Sequence, residues 1–215
     1  MQKIIFPLLV AALAVSVPLV AQQSEPAQTQ PTAQQTTGAN TSTNGNTVNQ
    51  RRANQQQRIA NGVQSGQLTA GETKNLESRE ANVNREVKDD RTANGGKLTP
   101  QERQQVNRQQ NNLSKSISTD KHNAAQAHYG NNEVDQRREN QQDRIANGIR
   151  NGTMTAGEAA RTENREQGIN QQVRADRAAN GGKLTPQEHK QINKEQNKAS
   201  RQIYRQKHNG VNAPK

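Results

Sequence analysis

Ala93-Asn94-Gly95-Gly96-Lys97-Leu98-Thr99-Pro100-Gln101-Glu102 is the stretch that decides the fold, and it returns unchanged at Ala179 to Glu188. Around it, Val48 to Asn123 aligns with Val134 to Asn209 without a gap, at a constant offset of 86 residues. Of the 76 paired positions 43 are identical, which marks a tandem duplication. A shorter echo lies inside each copy. Ala60-Asn61-Gly62 leads into Gly66-Gln67-Leu68-Thr69-Ala70-Gly71-Glu72, so the pattern G-x-L-T-x-x-E occurs four times once Met154 stands for Leu.

Each part of this pattern has a local physical reason. Gly66, Gly96, Gly152 and Gly182 can take the left-handed conformation that ends a helix. Leu68, Leu98, Met154 and Leu184 supply an apolar contact back onto the turn and stand where a hydrophobic staple begins. Thr69, Thr99, Thr155 and Thr185 are N-cap residues for the helix that follows. Glu72, Glu102, Glu158 and Glu188 come three residues later and complete a capping box. Pro100 and Pro186 take the first helical position, where a missing N–H costs nothing.

Two such joints per copy imply three helices per copy. Apolar residues between the joints keep helical spacing: Ile59 and Val63, then Leu76, Val83 and Val87, then Val106, Leu113 and Ile117. The second copy answers with Ile145 and Ile149, Ile169 and Val173, then Ile192 and Ile203. Thr162 stands for Leu76 and Ala199 for Leu113, so two of its stripes are thinner. The expected fold class is all-α: two tandem three-helix units joined by helix–turn–helix connections. The expected divisions are a signal peptide 1–21, a disordered Gln/Thr/Pro-rich linker 22–46, helical repeats 47–123 and 134–210, a linker 124–133 and a tail 211–215.

The joint also resembles an EF-hand. With Asn61 as first loop position, Gly66 is sixth, Leu68 eighth and Glu72 twelfth. The ligands depart from that pattern: Val63 and Ile149 fall at the third position, and Arg91 and Arg177 at the first position of the later joints. A Ca²⁺ ion needs six to eight oxygens, usually from several carboxylates. Capping explains the four Glu residues without a metal, and weak divalent-cation binding at these joints stays as the alternative function. More broadly, the chain resembles uncharacterised exported bacterial proteins with G-x-L-T-x-x-E joints and an Ile203-Tyr204-x-x-Lys207-His208-Asn209 ending. That resemblance covers about residues 48–210, implies a helical fold and brings no activity.

Composition narrows the function classes. After position 21, Leu, Ile, Val and Phe make up about a tenth of the residues, too few for a deep core. With no Cys, disulfides, thiol catalysis and Cys-ligated zinc are excluded. Lys3, an apolar run from Ile4 to Val15, then Pro18 and Leu19-Val20-Ala21 read as a cleaved export signal, giving a periplasmic or secreted product. The rival, an uncleaved anchor, has a charge-free stretch that only just reaches spanning length. His122 and His208 stand at helix C-termini, where a cation is favoured. No catalytic residue, cofactor or metal ligand is expected. The net charge of +11 points to anionic envelope polymer or lipid as partner, with no specific nucleic acid and no transmembrane segment after cleavage. Thr99→Ala should remove one cap and lower stability by about 1 kcal/mol, read as a fall in the thermal midpoint.

Overall fold

A computed structural model describes residues 44–214, with side-chain surroundings from Thr47 onward. The expected signal peptide, and the expected linker up to residue 43, lie outside the described residues. Six helices follow: α1 Asn44–Gln64, α2 Ala70–Ala93, α3 Pro100–Lys121, α4 Glu133–Arg150, α5 Ala156–Ala179 and α6 Pro186–Lys207. Helix α1 thus starts three residues inside the stretch expected as linker. No strand occurs among the described residues, and none of their helices is long and apolar enough to cross a membrane.

Helices α1, α2 and α3 pack on one another, as do α4, α5 and α6. Across the duplication, α2 lies on α5 and α1 on α4, while α3 and α6 flank the outside. Gly71 near the start of α2 approaches Gln167 of α5, and Ala81 approaches Gly157, so the central pair runs antiparallel. The main apolar cluster draws on both copies, with Ile59, Leu76 and Ile117 beside Ile145, Met154 and Ile203. Two satellites lie apart from it. Val48, Val83, Val87, Leu98 and Val106 form one, and Val134, Ile169, Val173, Ile192 and Ala199 the other.

So few large side chains would leave gaps, and glutamine fills them. Gln55 donates from Nε2 to the Gln110 carbonyl at 2.7 Å and to Ser114 Oγ at 2.8 Å. Gln110 in turn donates to the Val48 carbonyl at 3.0 Å. Gln141 and Gln196 repeat this at 2.7 and 2.8 Å onto the Gln196 and Val134 carbonyls. Buried amides therefore tie α1 to α3 and α4 to α6 through helix backbone, where an apolar stripe alone would be thin. The Gln-rich composition is partly core material.

At the first joint of each copy the apolar residue folds back tightly. The Leu68 N–H donates to the Gly62 carbonyl at 2.9 Å, and Met154 to Gly148 at 3.1 Å. A Cβ on Gly62 would sit 2.7 Å from Leu68, and one on Gly148 2.6 Å from Met154. Neither glycine is part of the repeated G-x-L-T-x-x-E pattern, yet both admit its apolar residue. Gly62→Ala should cost about 1–3 kcal/mol by forcing Leu68 aside, despite its better helix propensity. In contrast Gly168→Ala, in mid-α5 with nothing within 4 Å of the new methyl, should gain about 0.4–1 kcal/mol. Paired denaturation curves read both signs.

Candidate functional site

The joint residues lie at the connections α1–α2, α2–α3, α4–α5 and α5–α6. Gly66, Gly96, Gly152 and Gly182 have φ of 71°, 90°, 69° and 89°. Thr69, Thr99, Thr155 and Thr185 are the N-caps of α2, α3, α5 and α6, each in a capping box closed by Glu72, Glu102, Glu158 or Glu188. Each carboxylate then takes one further amide. Glu72 Oε1 accepts from Asn123 at 2.6 Å and Glu158 Oε1 from Asn209 at 2.5 Å, which docks the ends of α3 and α6. Glu102 and Glu188 accept from Asn94 and Asn180 at 2.8 and 2.9 Å. Backbone hydrogen bonds from the Thr caps hold Glu102 and Glu188 below the ordinary carboxylate range. The four carboxylates are thereby committed to closing turns.

A different set of carboxylates is buried on α2 and α5. Glu77, Glu80, Glu163 and Glu166 are all at most 1% exposed. Glu77 Oε2 accepts from Gln56 at 3.2 Å, and Glu163 Oε2 from Gln142 at 3.0 Å. Their Oε1 atoms, and both oxygens of Glu80 and Glu166, have no hydrogen-bond partner. Burial pushes Glu77 up to about 8 and lifts Glu163 well above the carboxylate range, with Gln56 and Gln142 opposing. Burial also raises Glu80 and Glu166 to about 7, against the pull of Arg52 and Arg138. In the neutral form each carboxyl gains an O–H donor of its own. No cluster of three or more potential metal ligands forms among the described residues.

Sequence reading passed over these four because a charged residue on a helix is normally solvated. A signal was present. Glu80 lies at i+4 from Leu76 and i–3 from Val83, inside the apolar stripe, and Glu166 repeats it before Ile169.

The arginine pairs Arg51-Arg52 and Arg137-Arg138 are taken up in packing. Arg51 bonds Asn107 and Asn111 on α3, and Arg137 bonds Asn193 and Asn197 on α6. Arg52 and Arg138 are buried. Arg138 donates to Asp135 Oδ1 at 2.7 Å, and Arg177 reaches Asp135 Oδ2 at 3.1 Å. Burial pushes Asp135 upward, but hydrogen bonds from Asn132, Arg177 and Arg138 outweigh it and hold the carboxyl low. Tyr129, between α3 and α4, places its ring 5.2 Å from the Arg138 guanidinium carbon.

Exposed basic residues stand on several helices, among them Arg79, Arg85 and Lys88 on α2 and Arg161, Arg165 and Arg174 on α5, and those on α6 form a stripe. Lys190, Lys194, Arg201, Arg205 and His208 are exposed and fall within an arc of about 60°, at about 100° per residue. The acids Glu188 and Glu195 lie on the far side, Glu195 paired with Lys198 at 2.8 Å. Tyr204 is 59% exposed on the edge of the stripe, stacked on His208 with centroids 4.3 Å apart. With Arg144, Ser200, Arg201 and Arg205 it lines a shallow hollow of about 480 Å³. On α3 the positions 86 residues earlier read Gln104, Arg108, Lys115, Thr119 and His122, so the stripe is stronger on the second copy.

Compared with family models, with curated proteins and with solved structures, the chain has no significant match in any of the three.

The glutamate layer makes stability depend on pH. These carboxyls hold protons in the folded state that the unfolded chain gives up near its ordinary carboxylate value, so folding binds protons between about pH 4.5 and 8. Their stabilising contribution is complete below that window and lost as pH rises through it. Thermal midpoints should fall from pH 5 to pH 9. A double variant Glu77→Gln, Glu163→Gln should flatten that fall, and an unchanged pH slope in the variant would refute the assignment.

Proposed function

We propose that the chain is exported, loses residues 1–21, and acts without catalysis as a tandem of two three-helix units that binds anionic envelope polymer along α6. The observation that carries this reading is the exposed stripe of Lys190, Lys194, Arg201 and Arg205, kept clear of acids on one helix face. Support for the tandem comes from the repeated caps and glutamine ties at the 86-residue offset. Export rests on the sequence of residues 1–21.

The stripe suits a flexible polyanion for three reasons. Its charges sit on one helix 22 residues long, about 33 Å at 1.5 Å per residue. Lys and Arg side chains there are exposed and can follow irregular charge spacing. Tyr204 adds a ring, but a single exposed aromatic is a poor platform for stacked bases. Attraction of this kind is screened at high salt.

Binding of the purified protein to an acidic polysaccharide should weaken about tenfold or more between low and high salt. The triple variant Lys194→Gln, Arg201→Gln, Arg205→Gln should lose most of it. Arg108→Gln with Lys115→Gln on α3 should lose little. Tighter binding to anionic vesicles than to the polysaccharide would move the partner to lipid, and salt-independent binding would end the electrostatic reading.

A further inference from the structure

Among the described residues the large apolar side chains left exposed are Tyr204 and Val211. The whole chain has one Phe, two Tyr and no Trp, and the other tyrosine, Tyr129, is half-buried beside Arg138. Tyr204 borders the hollow of about 480 Å³ on α6, together with Arg144, Ser200, Arg201 and Arg205. His208 stacks on the Tyr204 ring with the planes 25° apart and does not line the hollow, so it steadies the ring and leaves the rest of it open.

Three arginines and no acid border this hollow among the described residues. Arg144, on α4, is held in place: it donates to Ser200 Oγ at 2.6 Å and to the Ser200 carbonyl at 3.2 Å. The guanidiniums of Arg201 and Arg205 are exposed and have no hydrogen-bond or ion-pair partner among the described residues. Arg51, Arg137, Arg138 and Arg177, in contrast, all bond to the protein.

The duplication supplies a comparison inside the same molecule. The residues 86 positions earlier are Arg58, Ser114, Lys115, Ser118 and Thr119. Arg58 donates to the Ser114 carbonyl at 3.1 Å, so the tie between the helices is common to both copies. The ring and the two free guanidiniums belong to the second copy alone, where Tyr204 stands for Ser118, Arg201 for Lys115 and Arg205 for Thr119. All six of these residues are exposed, so packing of the interior does not call for the change.

We infer that the hollow is a subsite for one hexuronate unit, with its carboxylate on Arg201 and Arg205 and the C–H face of its pyranose ring on Tyr204. A guanidinium fork matches a carboxylate with two parallel hydrogen bonds, where an ammonium offers only a point charge. The face of a phenol ring is negative, which suits the slightly positive C–H hydrogens on one side of a sugar ring. A phosphate or sulfate would use the arginines and leave the ring without a contact. The subsite rests on the polymer reading of α6 and names the sugar acid within it. Lys194 and Lys190 continue the same face toward the helix N-terminus, where further carboxylates of the polymer would meet charge.

Titration of the purified protein with trigalacturonate, followed by NMR, tests this. The ring signals of Tyr204 should shift and saturate at one equivalent, and those of Tyr129 should stay in place. The neutral methyl ester of trigalacturonate, and inorganic phosphate, should each bind about tenfold more weakly. Tyr204→Ser, which puts the first copy's residue at an exposed position, should weaken trigalacturonate about tenfold. The same variant should change binding of dextran sulfate, a polyanion held by charge alone, by less than about twofold. The graft Lys115→Arg, Ser118→Tyr, Thr119→Arg on α3 should raise the stoichiometry for trigalacturonate from one to two. Unshifted Tyr204 signals, undiminished binding in Tyr204→Ser, or a graft that stays at one equivalent would each overturn the subsite, while salt-dependent binding of dextran sulfate would keep the polymer reading. A protein that binds neither probe would end both.

Discussion

The antiparallel contact of α2 with α5 is the constraint on which the other contacts depend. It joins the two copies, and it does so across polar side chains. Glu77 and Glu163 lie close enough for each to disfavour the other's charge, and Glu80 and Glu166 sit behind them against Arg52 and Arg138. A buried charge without a partner is costly, so the interface is stable with its carboxyls protonated or held by arginine. A leucine in place of each glutamate would close the same contact without any link to protons.

Glutamine does a related task in the flanks. A chain with about a tenth large aliphatics cannot fill six helices' worth of seam with methyl groups. Gln55, Gln110, Gln141 and Gln196 are long enough to cross between helices and bond a backbone carbonyl on the far side. Each amide keeps its own Oε1 unpartnered in doing so. An unmade buried hydrogen bond costs about 1–3 kcal/mol, which offsets part of what the tie contributes. The packing is specific in register and modest in strength.

Duplication followed by divergence gives the molecule its asymmetry. The residues of the glutamate layer and the glutamine ties are identical in both copies, at Arg52, Gln55, Glu77, Glu80, Asn84 and Gln110 and their partners 86 residues on. Differences fall around that frame, some in the apolar clusters, as at Leu76 and Thr162 or Leu113 and Ala199, and others at or near helix surfaces. Thr119 becomes Arg205, Ser118 becomes Tyr204, and Asn49 becomes Asp135. The basic stripe on α6 follows from such changes. The shared frame tolerates the changes at Thr119, Ser118 and Asn49 because none of these residues lies inside the central apolar cluster.

The sequence by itself determined the helices and their ends. Gly, Thr and Glu at fixed spacing close a turn with bonds made within a few residues, so the four joints could be read without any knowledge of neighbours. Local chemistry of that range is written directly in the chain. The tertiary structure alone decided which faces meet. Whether Glu80 is solvated or buried, and whether Arg52 is a surface charge or a packing residue, depend on which helices meet. The contact of α2 with α5 joins residues such as Gly71 and Gln167 or Ala81 and Gly157, 96 and 76 apart in sequence; Glu80 within an apolar stripe marks a covered face but does not say which helix covers it.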